Sequence, residues 1–170
     1  MIVILYNIRS LYNVGSIFRT ADGAGTERIY LCGITPAPID AFGKPRKQFT
    51  KVSLGAEKYL EWDASARSPR AIAELLKELK KDGYKIFAIE QSKKSIPYFK
   101  AKTSAKGGSA SGGKNSKLVL IMGNEVRGLP EAILKKADKI LEIPMRGKKE
   151  SLNVSVAFGI AAYALTNSGK

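Results

Sequence analysis

The sequence predicts an α/β fold, with a mainly parallel sheet flanked by helices. Three observations predict it. Short apolar runs alternate with helical segments through the 170 residues, the pattern of parallel strands joined by crossover helices. Two of the runs, LVLIM (118–122) and KILEI (139–143), lead directly into glycine-containing loops. The segment ELLKELKK (74–81) has helical spacing of leucines and charges, and Gly83 then stops it.

In chain order, MIVILY predicts a strand at 2–6. A helix is expected over 13–24, where Asn13 can cap and Gly15 permits close packing. RIYLCGI predicts a strand at 28–33, and a weaker one is expected near 59–62. The helix at 69–82 feeds a strand at 84–90. Between the strands at 118–122 and 139–143 a helix is expected over 130–136, with Pro130 in its first turn. The last helix is expected over 151–166, with Ser151 as its N-cap. Its segment LNVSVAFGIAAYAL is apolar on nearly every side. Such a helix is buried all round or faces another subunit.

The length suits one domain with a real core. No apolar run approaches the ~18 residues of a membrane span. The opening strand carries no basic segment or cleavage site, so no signal peptide is expected. Cys32 is the single cysteine and cannot form an internal disulfide, which fits a cytoplasmic setting. There is no histidine. That excludes histidine acid–base chemistry and a serine–histidine triad, and it speaks against zinc. No metal is expected.

A net charge of +14 favours an anionic partner, above all nucleic acid. Residues 91–117 hold seven lysines, among them Lys102, Lys106 and Lys114, and no acidic residue. The stretch 103–116 is rich in glycine and serine, and the whole of about 91–117 is expected to be a mobile loop between strands. Gly108, Gly113 and Lys114 imitate the start of a P-loop, but Asn115 stands where a magnesium-binding hydroxyl is needed. A second basic cluster is Lys44, Arg46, Lys47 and Lys51.

Three blocks carry chemistry. In GNEVRGLP (123–130), Gly123 and Gly128 bracket a tight loop at a strand end, with Glu125 inside it. In IPMRGKKESLNVSVA (143–157), Pro144 and Gly147 shape the loop, and Asn153 puts an amide at the start of an apolar helix, where it needs partners. In NIRSLYNVGSIFRTADGAG (7–25), Arg19 follows Asn13 by six residues, so the two do not quite share a face.

The order of these blocks resembles the TrmH/SpoU branch of the SPOUT methyltransferases, over nearly the whole chain. The resemblance implies transfer of a methyl group from S-adenosylmethionine to a ribose 2′-hydroxyl of tRNA or rRNA. It implies a homodimer and a deep trefoil knot near the C-terminus, with the cofactor in the knot loops. Arg19, in the pattern NxGxxxRT, is then the catalytic residue, with Asn13, Glu125, Ser151 and Asn153 beside it. The cofactor pocket falls to Met122, Gly123, Asn124, Gly128, Ile143, Pro144, Met145, Gly147, Ser151, Leu152 and Asn153. RNA capture is expected from Arg9, Lys44, Arg46, Lys47, Lys51, Lys102, Lys106 and Lys114. Arginine keeps its proton in water. A phosphate clamp or an oxyanion stabiliser is therefore an easier role for Arg19 than a general base. The competing expectations are a SPOUT enzyme acting on a base, and an RNA-binding protein that has kept the fold without catalysis.

Overall fold

The structure is a computed structural model that describes residues 1–101 and 117–166. Its strands are β1 (Ile2–Tyr6), β2 (Arg28–Cys32), β3 (Glu61–Asp63), β4 (Lys85–Ile89), β5 (Ile96–Pro97), β6 (Leu118–Met122) and β7 (Lys139–Glu142). They form one seven-stranded sheet in the order β3-β2-β1-β6-β4-β7-β5, and every pairing is parallel. All strands therefore present their C-terminal ends on one edge, where loops can converge on a ligand.

The helices are α1 (Leu11–Gly23), α2 (Lys47–Ser53), α3 (Pro69–Lys81), α4 (Glu131–Leu134) and α5 (Val154–Thr166). They cover both faces of the sheet, so alternate residues of a central strand enter two different cores. Leu118, Leu120 and Met122 pack with α1 and α5, whereas Val119 and Ile121 pack with α3 and α4. All five residues of β6 are buried, as a strand covered on both faces requires.

Local chemistry sets the helix ends. Ser10 caps α1, its hydroxyl accepting the Asn13 N–H at 3.3 Å. The expected cap at Asn13 is corrected: Asn13 lies in the first turn, which frees its side chain for other partners. Ser68 caps α3 ahead of Pro69, and Lys80 and Lys81 complement its C-terminus. α4 is shorter than the expected 130–136, and Pro130 caps it from outside. The next bonds, Lys136 to Ile133 and Ala137 to Leu134, span three residues and close the helix. α5 starts at Val154 rather than at 151, because the Asn153 side chain accepts the Ser155 N–H at 2.9 Å. Asn153 is thus the cap that the sequence assigned to Ser151.

Several short elements have no counterpart in the sequence reading. α2 falls on part of the lysine and arginine cluster at 44–51. Its only fully buried large side chain is Phe49, whose ring meets Phe18 edge-on at 5.1 Å. A Cβ on Gly15 would stand 3.1 Å from the Phe49 carbonyl oxygen, so glycine lets α1 and α2 touch. β5 and a 3₁₀ turn at Tyr98–Lys100 fall in the segment expected to be a lysine-bearing loop. Lys102, Lys106 and Lys114 lie outside the described residues. Among the described residues, no helix is long and apolar enough to cross a membrane.

Candidate active site

A cleft of about 260 Å³ opens at the C-terminal ends of β4, β6 and β7. Met122, Gly123, Asn124, Glu125 and Gly128 form one wall, and Ile143, Met145, Ser151 and Leu152 form another. The two glycine loops therefore meet, as their places after neighbouring strands suggest. Pro144 and Gly147 line an adjoining recess, together with Gln91, Glu142 and Lys149. Asn13, Arg19 and Asn153 do not line the cleft.

Gly123 and Gly128 have separate reasons to be glycine. A Cβ on Gly123 would stand 2.8 Å from the Gly128 carbonyl carbon and the Leu129 Cγ, so the loop closes on itself. Gly128 has φ +62, and a Cβ there would strike the Glu90 carboxylate. Asn124 locks the turn. Its Oδ1 accepts the N–H groups of Val126 and Arg127 at 3.0 and 2.9 Å, and its Nδ2 donates to the Asn7 carbonyl at 2.7 Å. Its amide is thus spent on holding the loop to the end of β1.

This lock aims Glu125 at the start of α1. The carboxylate accepts the Arg9 N–H at 3.1 Å, the Ser10 N–H at 3.1 Å and the Asn13 Nδ2 at 3.4 Å. Asn13 Oδ1 in turn accepts the Asn153 Nδ2 at 3.1 Å. Glu125, Asn13 and Asn153 therefore link the starts of α1 and α5 to the cleft loop. Desolvation pushes the Glu125 carboxyl up, but the surrounding N–H donors prevail and hold it below the usual carboxylate range. A general base at neutral pH needs a pKa near 7. Glu125 is therefore an anchoring anion rather than a base.

Arg19 is exposed on α1, outside the cleft of its own chain. Arg9 is also exposed, beside the cleft loop that its backbone contacts. Lys44, Lys47 and Lys51 are exposed and Arg46 half-buried, at and before α2, away from the cleft.

The sequence reading missed Glu90, Gln91 and Glu142. Glu90 Oε2 accepts the Leu129 N–H at 2.7 Å, bracing the cleft loop from the end of β4. Glu142 accepts the Ser95 hydroxyl at 2.6 Å. The signal was available, because β4 also ends in polar residues at the edge where β6 and β7 meet their loops. Among the described residues, the cleft lining contains three carboxylates and no lysine or arginine, within a chain of net charge +14. Among the described residues no group of three His, Cys, Asp or Glu side chains could hold a metal.

The model of the SpoU rRNA methylase family matches residues 1–163. The chain belongs to this family. A SpoU-family relative, the tRNA (guanosine(18)-2′-O)-methyltransferase of Aquifex aeolicus, is 31% identical over 163 residues, covering 96% of this chain and 67% of its own. The AdoMet-bound rRNA methyltransferase of Sinorhizobium meliloti superposes with a TM-score of 0.81 at 26% identity, over 98% of this chain and 56% of its own. A structure from work on the 2-OH methylation of C/U34 on tRNA superposes with a TM-score of 0.74 at 25% identity, over 99% of this chain and 97% of its own. The chain spans only 60% and 56% of the lengths of two further curated relatives.

Proposed function

We propose that this SpoU-family chain is an S-adenosylmethionine-dependent methyltransferase acting on a ribose 2′-hydroxyl of tRNA or rRNA. The observation that carries the proposal is the cleft itself. Both glycine loops line it, and a chain of hydrogen bonds from the third block, the NxGxxxRT helix, runs to Glu125 on its wall. The residues fit the cofactor. Ile89, Ile143, Met145, Leu152 and Ala157 offer apolar surface for an adenosyl group, and the carboxylates Glu90, Glu125 and Glu142 suit a cationic sulfonium. When bound, S-adenosylmethionine supplies the activated methyl group.

The chain's own work is then positioning. Gly123 and Gly128 shape the cleft backbone, and Asn124 and Glu125 set the start of α1 against it. Alignment of this kind alone supplies several kcal/mol of rate enhancement. The ribose oxygen must lose its proton as it takes the methyl group. We assign Arg19 to holding the RNA phosphate or the developing oxyanion, with its guanidinium protonated.

We further propose a homodimer. α1 and α5 run side by side in parallel, Asn13 meeting Asn153, Thr20 near Gly159 and Gly23 near Tyr163. Their outer side leaves Tyr12 53%, Val156 50% and Tyr163 45% exposed. A second copy would cover this apolar strip. Arg19 lies on the same side of α1 as Tyr12, so the dimer would also carry Arg19 toward the partner's cleft. We propose a single SPOUT methyltransferase domain containing a C-terminal trefoil knot. The placement of β7 between β4 and β5, both earlier in the chain, supports that threading. An experimental structure whose traced chain opens when its ends are pulled would contradict the knot.

Calorimetry tests the cofactor assignment. S-adenosylmethionine and S-adenosylhomocysteine should both bind without added metal. No heat of binding at millimolar ligand removes the enzyme assignment and leaves an RNA-binding protein.

A further inference from the structure

We propose a second RNA subsite at the same sheet edge: a cavity of about 470 Å³ at the ends of β2 and β3 that holds a flanking nucleotide by phosphate contact and stacking. The inference rests on the RNA substrate proposed above. It concerns residues outside the cleft, most of them absent from the three sequence blocks.

Two arginines face this cavity in fixed poses. Arg67 donates from Nε to the Ala64 carbonyl at 2.6 Å and from Nη1 to the Gly33 and Thr35 carbonyls at 2.9 and 2.6 Å. Arg46 donates from Nε to the Ile39 carbonyl at 3.2 Å. Backbone carbonyls thus orient both guanidinium groups. Among the described residues neither forms an ion pair, and Arg67 Nη2 and both Arg46 Nη groups remain available. An arginine oriented in advance loses less freedom on meeting a phosphate, and its fork matches the phosphate oxygens. One carboxylate also lines the cavity, but Asp40 accepts the N–H groups of Phe42 and Lys44 at 2.9 Å each. Nearby Asp63 accepts from the Ser65 N–H and hydroxyl. Asp40 engages its Oδ1 in its own turn, and Asp63, bonded to Ser65, also attracts Arg67 from the side, so Arg46 is the arginine with the freer fork.

The same cavity has a stacking surface. Trp62 lines it and is half-buried, and Ile34 on the lining is 65% exposed. Phe42, on the 40–44 turn beside the lining residue Ala41, is 87% exposed. An exposed phenylalanine has no role in holding the core, whereas an aromatic face beside fixed cations suits a nucleotide base.

Sheet order sets the distance between the sites. β2 and β6 are separated only by β1, and β3 lies one strand further out. With the cleft spread over the ends of β6, β4 and β7, and at about 4.8 Å per strand, the two sites stand roughly 17 Å apart centre to centre. An extended RNA strand covers that span in roughly two to three nucleotides. Exposed Arg9, at the end of β1, lies between them. Lys44, Lys47 and Lys51 continue the positive surface past the second site. The geometry describes a track from the methylated nucleotide, over Arg9, to the Arg46–Arg67–Trp62 pocket.

Trp62 is the chain's single tryptophan, so the native protein reports on its own subsite. The test titrates the full chain, bound to S-adenosylhomocysteine, with labelled oligouridine, following label anisotropy and tryptophan emission together. Emission should fall by roughly a third or more, with the midpoint set by anisotropy, as stacking requires. R46Q should weaken binding about fivefold and lower the salt slope by about 1, leaving cofactor affinity unchanged. Binding by anisotropy with unchanged tryptophan emission would overturn the subsite while sparing the RNA assignment. An unaltered affinity and salt slope in a folded R46Q would do the same. If adenosine monophosphate quenches Trp62 as tightly as the oligonucleotide and without salt dependence, the pocket serves a free nucleotide and the proposal falls. An absence of RNA binding, with cofactor binding intact, would overturn both the subsite and the RNA substrate.

Discussion

Glu125 accepts the N–H groups of Arg9 and Ser10 just ahead of α1, at the helix end that favours negative charge. E125Q should cost about 1 kcal/mol, reduced by the solvent around an exposed carboxylate. Its folded pKa is lowered, so its stabilising effect is complete above the unfolded value, about 4.3. The effect is lost as pH falls through the lower folded value. Thermal melts should therefore separate wild type from E125Q at pH 7, with the gap narrowing as pH falls below the unfolded value. A gap that stays constant on acidification would show that charge is not the cause. Arg19→Ala and Arg19→Lys should each lower turnover at least about a hundredfold while leaving the fold and cofactor affinity intact. Near-normal turnover in either variant would remove the catalytic role. Burial pushes the Cys32 thiol up to about 12, so a thiol reagent at pH 8 should modify the native chain slowly and the unfolded chain at once. Rapid native labelling would contradict the packing of β2.

At the scale of elements, the cleft loop is held by its glycines as much as by side-chain bonds. Gly123→Val would drive a branched side chain into Gly128 and Leu129. It should destabilise the fold by about 1–3 kcal/mol and weaken cofactor binding together with it. Unchanged stability with weakened binding would instead mean that the valine meets only the ligand. The two loops were legible because one follows the wholly apolar β6 and the other the short run KILEI, and the edge of a parallel sheet is where such loops converge. α2 was hidden because only Phe49 of its seven residues is a large, fully buried side chain, and its lysines read as a charge cluster. β5 is two residues long, below any periodic signal. The N-caps of α1 and α5 were misplaced because Ser10, Asn13, Ser151 and Asn153 all have capping chemistry, and only tertiary contacts decide among them. Glu90 and Glu142 went unseen because their partners, Leu129 and Ser95, are tens of residues away in sequence.

For the whole molecule, the central matter is how an arginine-bearing cavity and an acid-lined cleft share one edge of a parallel sheet. On the proposed function, the charge of +14 and the acid-lined cleft would divide the labour, with RNA on the surface and a cationic cofactor inside. A chain of 18.4 kDa should sediment as a dimer at micromolar concentration. V156E together with Y163E should convert it to a monomer and lower turnover by at least tenfold, since the partner's Arg19 would be lost. A monomeric wild type with full activity would overturn the dimer. The central claim, methylation of a ribose 2′-hydroxyl, is tested most directly by the product. Purified protein is incubated with unmodified RNA and S-adenosylmethionine labelled in its methyl group, and the RNA is digested to nucleosides for mass analysis. The account predicts the label in a 2′-O-methylated nucleoside, with the mass increment on the sugar fragment. Label on a base fragment, or no transfer to any tRNA or rRNA while the cofactor binds, would contradict it.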